Sequence, residues 1–264
     1  MSKPPSLNAT LLRTYTRLHF RSARFFTLLF FYLLLMLLVP ALVLTGVSPN
    51  PGNATALLTF PVNFFVILAT LGSAVLAGDS ISQDFSRQGL FTLSQPIARA
   101  RLVAARYGAA AIAGTTITLV YFAVGAVETY AFYGTAVANY AEITAFSLLY
   151  TLAMIAFVML LSATFYRSQT LSIVISILTI FIFMPIVQAI LASKGYEPWP
   201  VLSYASGVID ALFSPPYPPH VQSANGITSY FPTVGESAAI MAGYVVVSLL
   251  LCAAIYRRRE LREV

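Results

Sequence analysis

Six long apolar runs separated by short polar stretches set the plan of this chain: residues 25–47, 57–77, 102–127, 143–165, 171–192 and 237–256. Each is long enough for a helix to cross a hydrocarbon core, which takes about 20 residues. Two stretches break the alternation. Projected at about 100° per residue, residues 7–24 place Arg13, Arg17, Arg21 and Arg24 on one stripe and Leu7, Leu11, Tyr15 and Leu18 opposite. That pattern predicts an amphipathic helix lying in a membrane surface, arginines against phosphates and apolar face in the acyl boundary. Residues 78–106, between the second and third runs, set Ile81, Phe85, Phe91 and Leu93 among Asp79, Asp84, Arg87 and Gln88. This segment is too polar to cross a bilayer and too patterned for a slack loop. A short helix with one apolar and one charged side, a break at Gly89 and a stop at Pro96 is expected.

The third run opens on small residues, Gly108, Ala109, Ala110, Ala111, Ala113 and Gly114, which let helix backbones approach and place it inside a bundle. Residues 193–235 carry seven of the fifteen prolines and enclose an apolar stretch, 201–213, too short to cross. A short apolar helix flanked by prolines and aromatics reads as a re-entrant or interfacial element. It serves either as an external cap or as a gate.

Composition removes the soluble alternatives. Charged residues make up 9% and hydrophobic ones 58%, against the roughly 25% charged of an ordinary soluble domain. The chain reads as an all-α integral membrane protein. Fourteen of its fifteen basic residues fall on one side of the six runs, and Lys194 alone falls on the other. The bias of Lys and Arg toward cytoplasmic loops then puts both termini in the cytoplasm. The net charge of +6 serves topology and anionic lipid, so membrane lipid is an expected partner and nucleic acid is not. Asn53 begins an Asn-Ala-Thr sequon on the expected outer side.

Enzyme chemistry lacks its inventory. His19 and His220 fall on opposite sides of the membrane and Cys252 stands alone, so no metal site and no nucleophile–base pair is read. No phosphate-binding loop of the GxxxxGK[ST] type is present. Glu128, Glu142 and Glu236 fall at run ends, where they read as solvated, with Glu128 moving inward if its run extends by a further turn, whereas ion-coupled transport would place a carboxylate at mid-membrane.

With Gly89-Leu90-Phe91-Thr92-Leu93, then Pro96-Ile97-Ala98-Arg99, then Arg106 at the head of the third run, the segment 78–106 resembles its counterpart in the permease subunits of ABC transporters of the type-two exporter superfamily. The amphipathic N-terminal helix, the six runs and the broken element between the fifth and sixth extend the resemblance over nearly the whole chain. Ser94-Gln95 and Arg106 depart from the family pattern, which has a longer apolar pair and a lysine there.

The resemblance implies one permease domain over 1–264: an interfacial helix (7–24), a cytoplasmic coupling segment (78–101) and an external re-entrant segment (193–235). It implies a half-transporter that pairs with a second copy or a homologous permease and recruits two ATP-binding cassette subunits. The chain itself would hold no cofactor, with ATP and Mg on the partner ATPase, in the cytoplasmic membrane of a prokaryote. Asp84, Phe85, Ser86, Arg87 and Gln88 would contact the ATPase, and Gly89, Pro96, Arg99 and Arg106 would complete the coupling segment. Phe64, Phe65, Phe181, Phe183 and Asp210 would line the pathway or gate. An ion-coupled secondary transporter and a non-transporting membrane scaffold are the alternatives.

Overall fold

The computed structural model describes residues 7–85, 97–213, 216–224 and 227–258. Its helices are α1 (Leu7–Arg21), α2 (Ala23–Leu44), α3 (Ala54–Ala77), α4 (Arg99–Tyr133), α5 (Tyr140–Thr164), α6 (Gln169–Leu178), α7 (Met184–Ser193), α8 (Leu202–Phe213) and α9 (Val234–Arg258). Among the described residues, six helical stretches are long and apolar enough to cross a membrane: α2, α3 with the turn that follows it, α4, α5, the α6–α7 unit and α9. They correspond one to one with the six apolar runs.

The stretches sort into two shells. In α3, α4 and α5, between 44% and 56% of the most apolar window is buried, against 17–22% for α2, α6–α7 and α9. The inner shell is where side chains are small or aromatic. Ala109, Ala110 and Ala113 have no exposed surface, and a Cβ added at Gly114 would stand 2.7 Å from Ile155 Cδ1. The small face of the third run is therefore the surface on which α4 and α5 meet. At the centre, Tyr32 of α2, Phe65 of α3 and Tyr121 and Phe122 of α4 form a mostly edge-on cluster, with Phe65 and Tyr121 tilted, and ring centroids 5.1–6.5 Å apart. The Tyr121 hydroxyl donates to the Pro61 carbonyl at 2.7 Å, so the polar tip of this aromatic is satisfied within the apolar interior.

Local chemistry sets the breaks. Residues 7–24 do not form one helix: Ser22 turns extended and its hydroxyl accepts from the Phe25 N–H, capping α2. Arg24 consequently belongs to α2. Asn53, the sequon asparagine, caps α3 by accepting from the Ala56 N–H at 2.7 Å. Between α6 and α7 the chain makes one π-turn, Thr179–Phe183. Pro185 lies just beyond it; a proline has no N–H for the carbonyl four residues back and crowds it, and a widened turn relieves both. The α6–α7 unit thus crosses as one bent element.

At the end opposite the arginines, α8 is fully inserted beside α9, α5 and α3, with Leu202, Ala205, Val208 and Ile209 at zero exposure. The all-α architecture holds, and the segment that follows α8 adds a short hairpin to it. Strands β1 (Val221–Ala224) and β2 (Ile227–Tyr230) pair antiparallel, Val221 opposite Tyr230 and Ala224 opposite Ile227. In the sequence, Asn-Gly at 225 and 226 is a strong short-range hairpin signal.

Candidate functional site at the arginine-rich end

Immediately after α3 the chain turns under the bundle instead of out of it. Ile81 is fully buried, and the N–H groups of Ile81 and Ser82 both donate to Ser162 Oγ of α5, at 3.1 and 3.3 Å. The Ser172 hydroxyl of α6 donates to the Gly78 carbonyl at 2.7 Å. These bonds satisfy backbone groups released by the end of α3. They also fix the 3-10 turn Ser82–Phe85 against two other helices.

On this platform sits a closed charge cluster. The Asp84 side chain is 1% exposed and that of Arg106, one turn or so into the apolar part of α4, is 9% exposed. Arg106 donates to Asp84 Oδ1 and to the Ser80 carbonyl, and the Tyr256 hydroxyl of α9 donates to Asp84 Oδ2. The Arg106 guanidinium lies over the Tyr15 ring of α1, 5.2 Å from its centroid. Arg99 donates to the Tyr256 carbonyl at 2.7 Å and stacks on the Tyr256 ring. Phe85 packs edge-on between Tyr166 and Tyr256, with centroids at 4.8 and 6.0 Å. Arg24 and Gln83 both donate to Asp79 Oδ2, at 2.5 and 2.6 Å.

One cluster therefore ties α1, α2, α4, α5, α6 and α9 to the segment after α3. Beside it a recess of about 270 Å³ is lined by Tyr15, His19, Arg24, Asp79, Gln83 and Arg106, among others. Burial of the His19 imidazole lowers its pKa from 6.5, with Asp79 opposing and Arg24 reinforcing the shift.

Of the residues assigned to a partner contact, Asp84 points into the protein and Phe85 is half-buried among tyrosines, so neither is a free docking tip. Ser86, Arg87, Gln88, Gly89 and Pro96 lie outside the described residues. Arg13, Arg17 and Arg21 are exposed along α1. The face opposite them rests on α4: Leu12 stands 2.9 Å from where a Cβ on Gly108 would be. Leu18, read as part of the apolar face, is 60% exposed.

The pathway residues do not converge. Phe65 has no exposure and belongs to the central aromatic cluster, so it cannot line an axis between two copies; Phe64, Phe181 and Phe183 lie on the bundle's outer surface. Asp210 lines a recess of about 640 Å³ between α8 and the hairpin segment, with Gln188, Tyr204 and Tyr217. Its desolvating walls push the Asp210 carboxyl up from 3.8 to about 6. Glu128 is a correction of another kind. It does not sit at a solvated end: α4 continues to Tyr133, Glu128 is 7% exposed, and neither carboxylate oxygen has a hydrogen-bond partner.

Sequence reading missed Tyr256 and Tyr15 as members of the arginine-rich cluster, because each lies on a different helix from its charged partner and far from it in the chain. The usable signal was charge: Asp79 and Asp84 are the two acids between the second and third runs, on the side that carries fourteen of the fifteen basic residues, so each had an arginine to find.

Fold and cluster together define a polytopic α-helical membrane protein whose polar residues concentrate at the two ends of the bundle. Residues 43–262 match the model of a family described as Protein of unknown function (DUF2705), and the chain belongs to that family. No curated protein matches the chain.

Proposed function

We propose that this chain is the transmembrane subunit of an ATP-driven ABC transporter, an exporter by resemblance, in the cytoplasmic membrane of a prokaryote with both termini cytoplasmic. The observation that carries the reading is the Asp84–Arg106–Tyr256 cluster, which joins the segment between α3 and α4 to two crossing elements, α4 and α9. A displacement of the segment after Phe85 is then transmitted to α4 and α9 through short, charge-assisted bonds rather than absorbed in a loop. The chain has no phosphate loop, so nucleotide energy, ATP with Mg, comes from two separate ATP-binding cassette subunits. A second permease copy or homologous permease completes the transporter.

The inward turn of Asp84 and Phe85 changes the roles. Those two residues serve as the internal end of the coupling segment, and Ser86, Arg87 and Gln88 carry the contact with the ATPase. The test is gentle purification of the tagged chain from its host membrane, with identification of stoichiometric partners by mass spectrometry. An ATP-binding subunit that is retained by the parent chain and lost from Arg87→Glu, with insertion intact, supports the proposal. A chain free of any ATPase across several mild detergents overturns it.

Glu128 favours a second reading. A buried carboxylate without a donor is costly in a membrane protein and marks ion pathways by default. Ion-coupled transport would follow an ion gradient, need no nucleotide and be lost in Glu128→Gln.

A further inference from the structure

Among the described residues, one group brings a histidine and two carboxylates together: Glu197, His220 and Glu236, with one ligand atom from each within 4.8 Å of the others. They come from three separate places at the end opposite the arginines. Glu197 lies between α7 and α8, His220 just before β1, and Glu236 in the first turn of α9. We propose that these three residues bind a divalent transition-metal cation, zinc by donor set, and that the ion fastens the hairpin cap to α9. The inference is independent of the transporter reading.

The histidine is already set as a ligand. His220 Nδ1 lies 2.8 Å from the Phe231 carbonyl, and the Phe231 N–H returns a bond to the His220 carbonyl at 2.9 Å. A carbonyl only accepts, so the Nδ1–H donates and, in the neutral ring, the Nε2 lone pair is left facing Glu197. This is the usual way in which an imidazole is oriented for a metal, through its other nitrogen.

Glu197 is held just as firmly, since the Tyr204 hydroxyl donates to its Oε1 at 2.7 Å. The other oxygen, Oε2, stands 3.5 Å from His220 Nε2. Two ligands each about 2.1 Å from a tetrahedral zinc stand ~3.4 Å apart, so this pair already spans one edge of the tetrahedron. Glu236 is the adaptable member. Its Oε2 accepts from the Thr233 N–H at 2.8 Å in a helix-capping pair and stands 4.0 Å from His220 Nδ1, so this side chain must rotate to bring Oε1 to an ion on the Nε2 side. Side chains 28–41% exposed leave room for water in the fourth position. One imidazole and two carboxylates suit zinc better than magnesium, which prefers an all-oxygen shell and keeps its waters.

The experiment is a Zn²⁺ titration of the full chain in lipid nanodiscs, after chelator treatment, followed by calorimetry and by the fluorescence of Trp199. That residue is the chain's single tryptophan and lies two positions from Glu197. We expect one saturable site, a higher unfolding midpoint with zinc, and no competition from millimolar Mg²⁺. His220→Ala should abolish saturable binding, Glu197→Gln should weaken it at least tenfold, and Tyr204→Phe should weaken it ~10–100-fold as an outer-shell partner.

Absence of a saturable site in the parent chain would overturn the proposal, which needs no variant to fold. So would zinc binding that Glu197→Gln and Glu236→Gln leave unchanged, the behaviour of adventitious binding to one exposed histidine. If His220→Ala lowers the midpoint equally with and without zinc, the group is only an ion pair and the proposal fails.

Discussion

Polar clusters occupy both ends of this bundle, and they are built on opposite principles. At the arginine-rich end the charges come from helices and a tight turn and are matched: Asp84 and Arg106 are almost fully buried and joined by Tyr256, and the buried Asp79 has the more exposed Arg24 and Gln83. At the other end Glu197, His220 and Glu236 come from connections and a helix start, stay about a third exposed, and stand at distances of 3.5–4.0 Å that leave each pair only loosely satisfied. A closed cluster is a mechanical joint, because nothing can be withdrawn from it cheaply. An open one is a receptor, because its groups still have bonding capacity to offer.

The sharpest way to break that contrast is at Arg106. Removing one partner of a buried ion pair leaves an uncompensated charge and costs about 3–5 kcal/mol. Arg106→Leu should lower the unfolding free energy of the purified chain, read from its denaturation curve, by that amount. The double variant Asp84→Asn with Arg106→Leu should recover much of the loss, since no buried charge then remains. If Arg106→Leu alone is tolerated, the arginine-rich end is not a joint.

A smaller effect sharpens the picture. Tyr256→Phe removes only the hydroxyl that donates to Asp84, and a hydrogen bond to a charged group contributes about 1.5–3 kcal/mol. The same denaturation measurement should show that loss with the bundle otherwise intact. At the opposite end, Glu197→Gln in metal-free protein should cost under ~1 kcal/mol, the range of exposed ion pairs. A loss at Glu197 as large as at Arg106 would erase the distinction between the two ends.

How much of this was legible in the sequence differs between the ends for the same reason. The six crossings followed from apolar run length, and the burial of α4 from its alanines, since both are properties of neighbouring residues. Ser22 as a cap between two helices and the π-turn before Pro185 were also local, but their signals are single residues inside longer regular patterns. The hairpin was announced by Asn225-Gly226, and the proline-rich composition around it obscured that dipeptide. The arginine-rich joint was not legible: Asp84 and Tyr256 are 172 positions apart in the chain, and amphipathic alternation around Phe85 looked like a face turned to a partner. Alternation tells that a segment has two faces. It does not tell which face meets its own protein.

The smallest predicted effect compares the two ends by acid. His19, in the recess at the arginine-rich end, has its pKa lowered from 6.5 by burial. The unfolded chain therefore binds its proton more readily, and this contribution to stability is full above pH 6.5 and lost as the pH falls below it. Asp210, in the recess at the opposite end, has its carboxyl raised from 3.8 to about 6. Here the folded chain holds the proton more tightly, so stability is favoured at low pH and declines as pH rises from 3.8 to about 6. Asp210 is exposed, and screening keeps its share under ~1 kcal/mol. Over the window in which both groups titrate the two slopes oppose each other. Single variants should separate them. His19→Gln should leave a stability that declines with rising pH through this window, and Asp210→Asn one that increases with it. Denaturation midpoints measured between pH 4 and pH 7 check the signs, and slopes of the same sign in both variants would mean that the two recesses do not differ in the way their walls require.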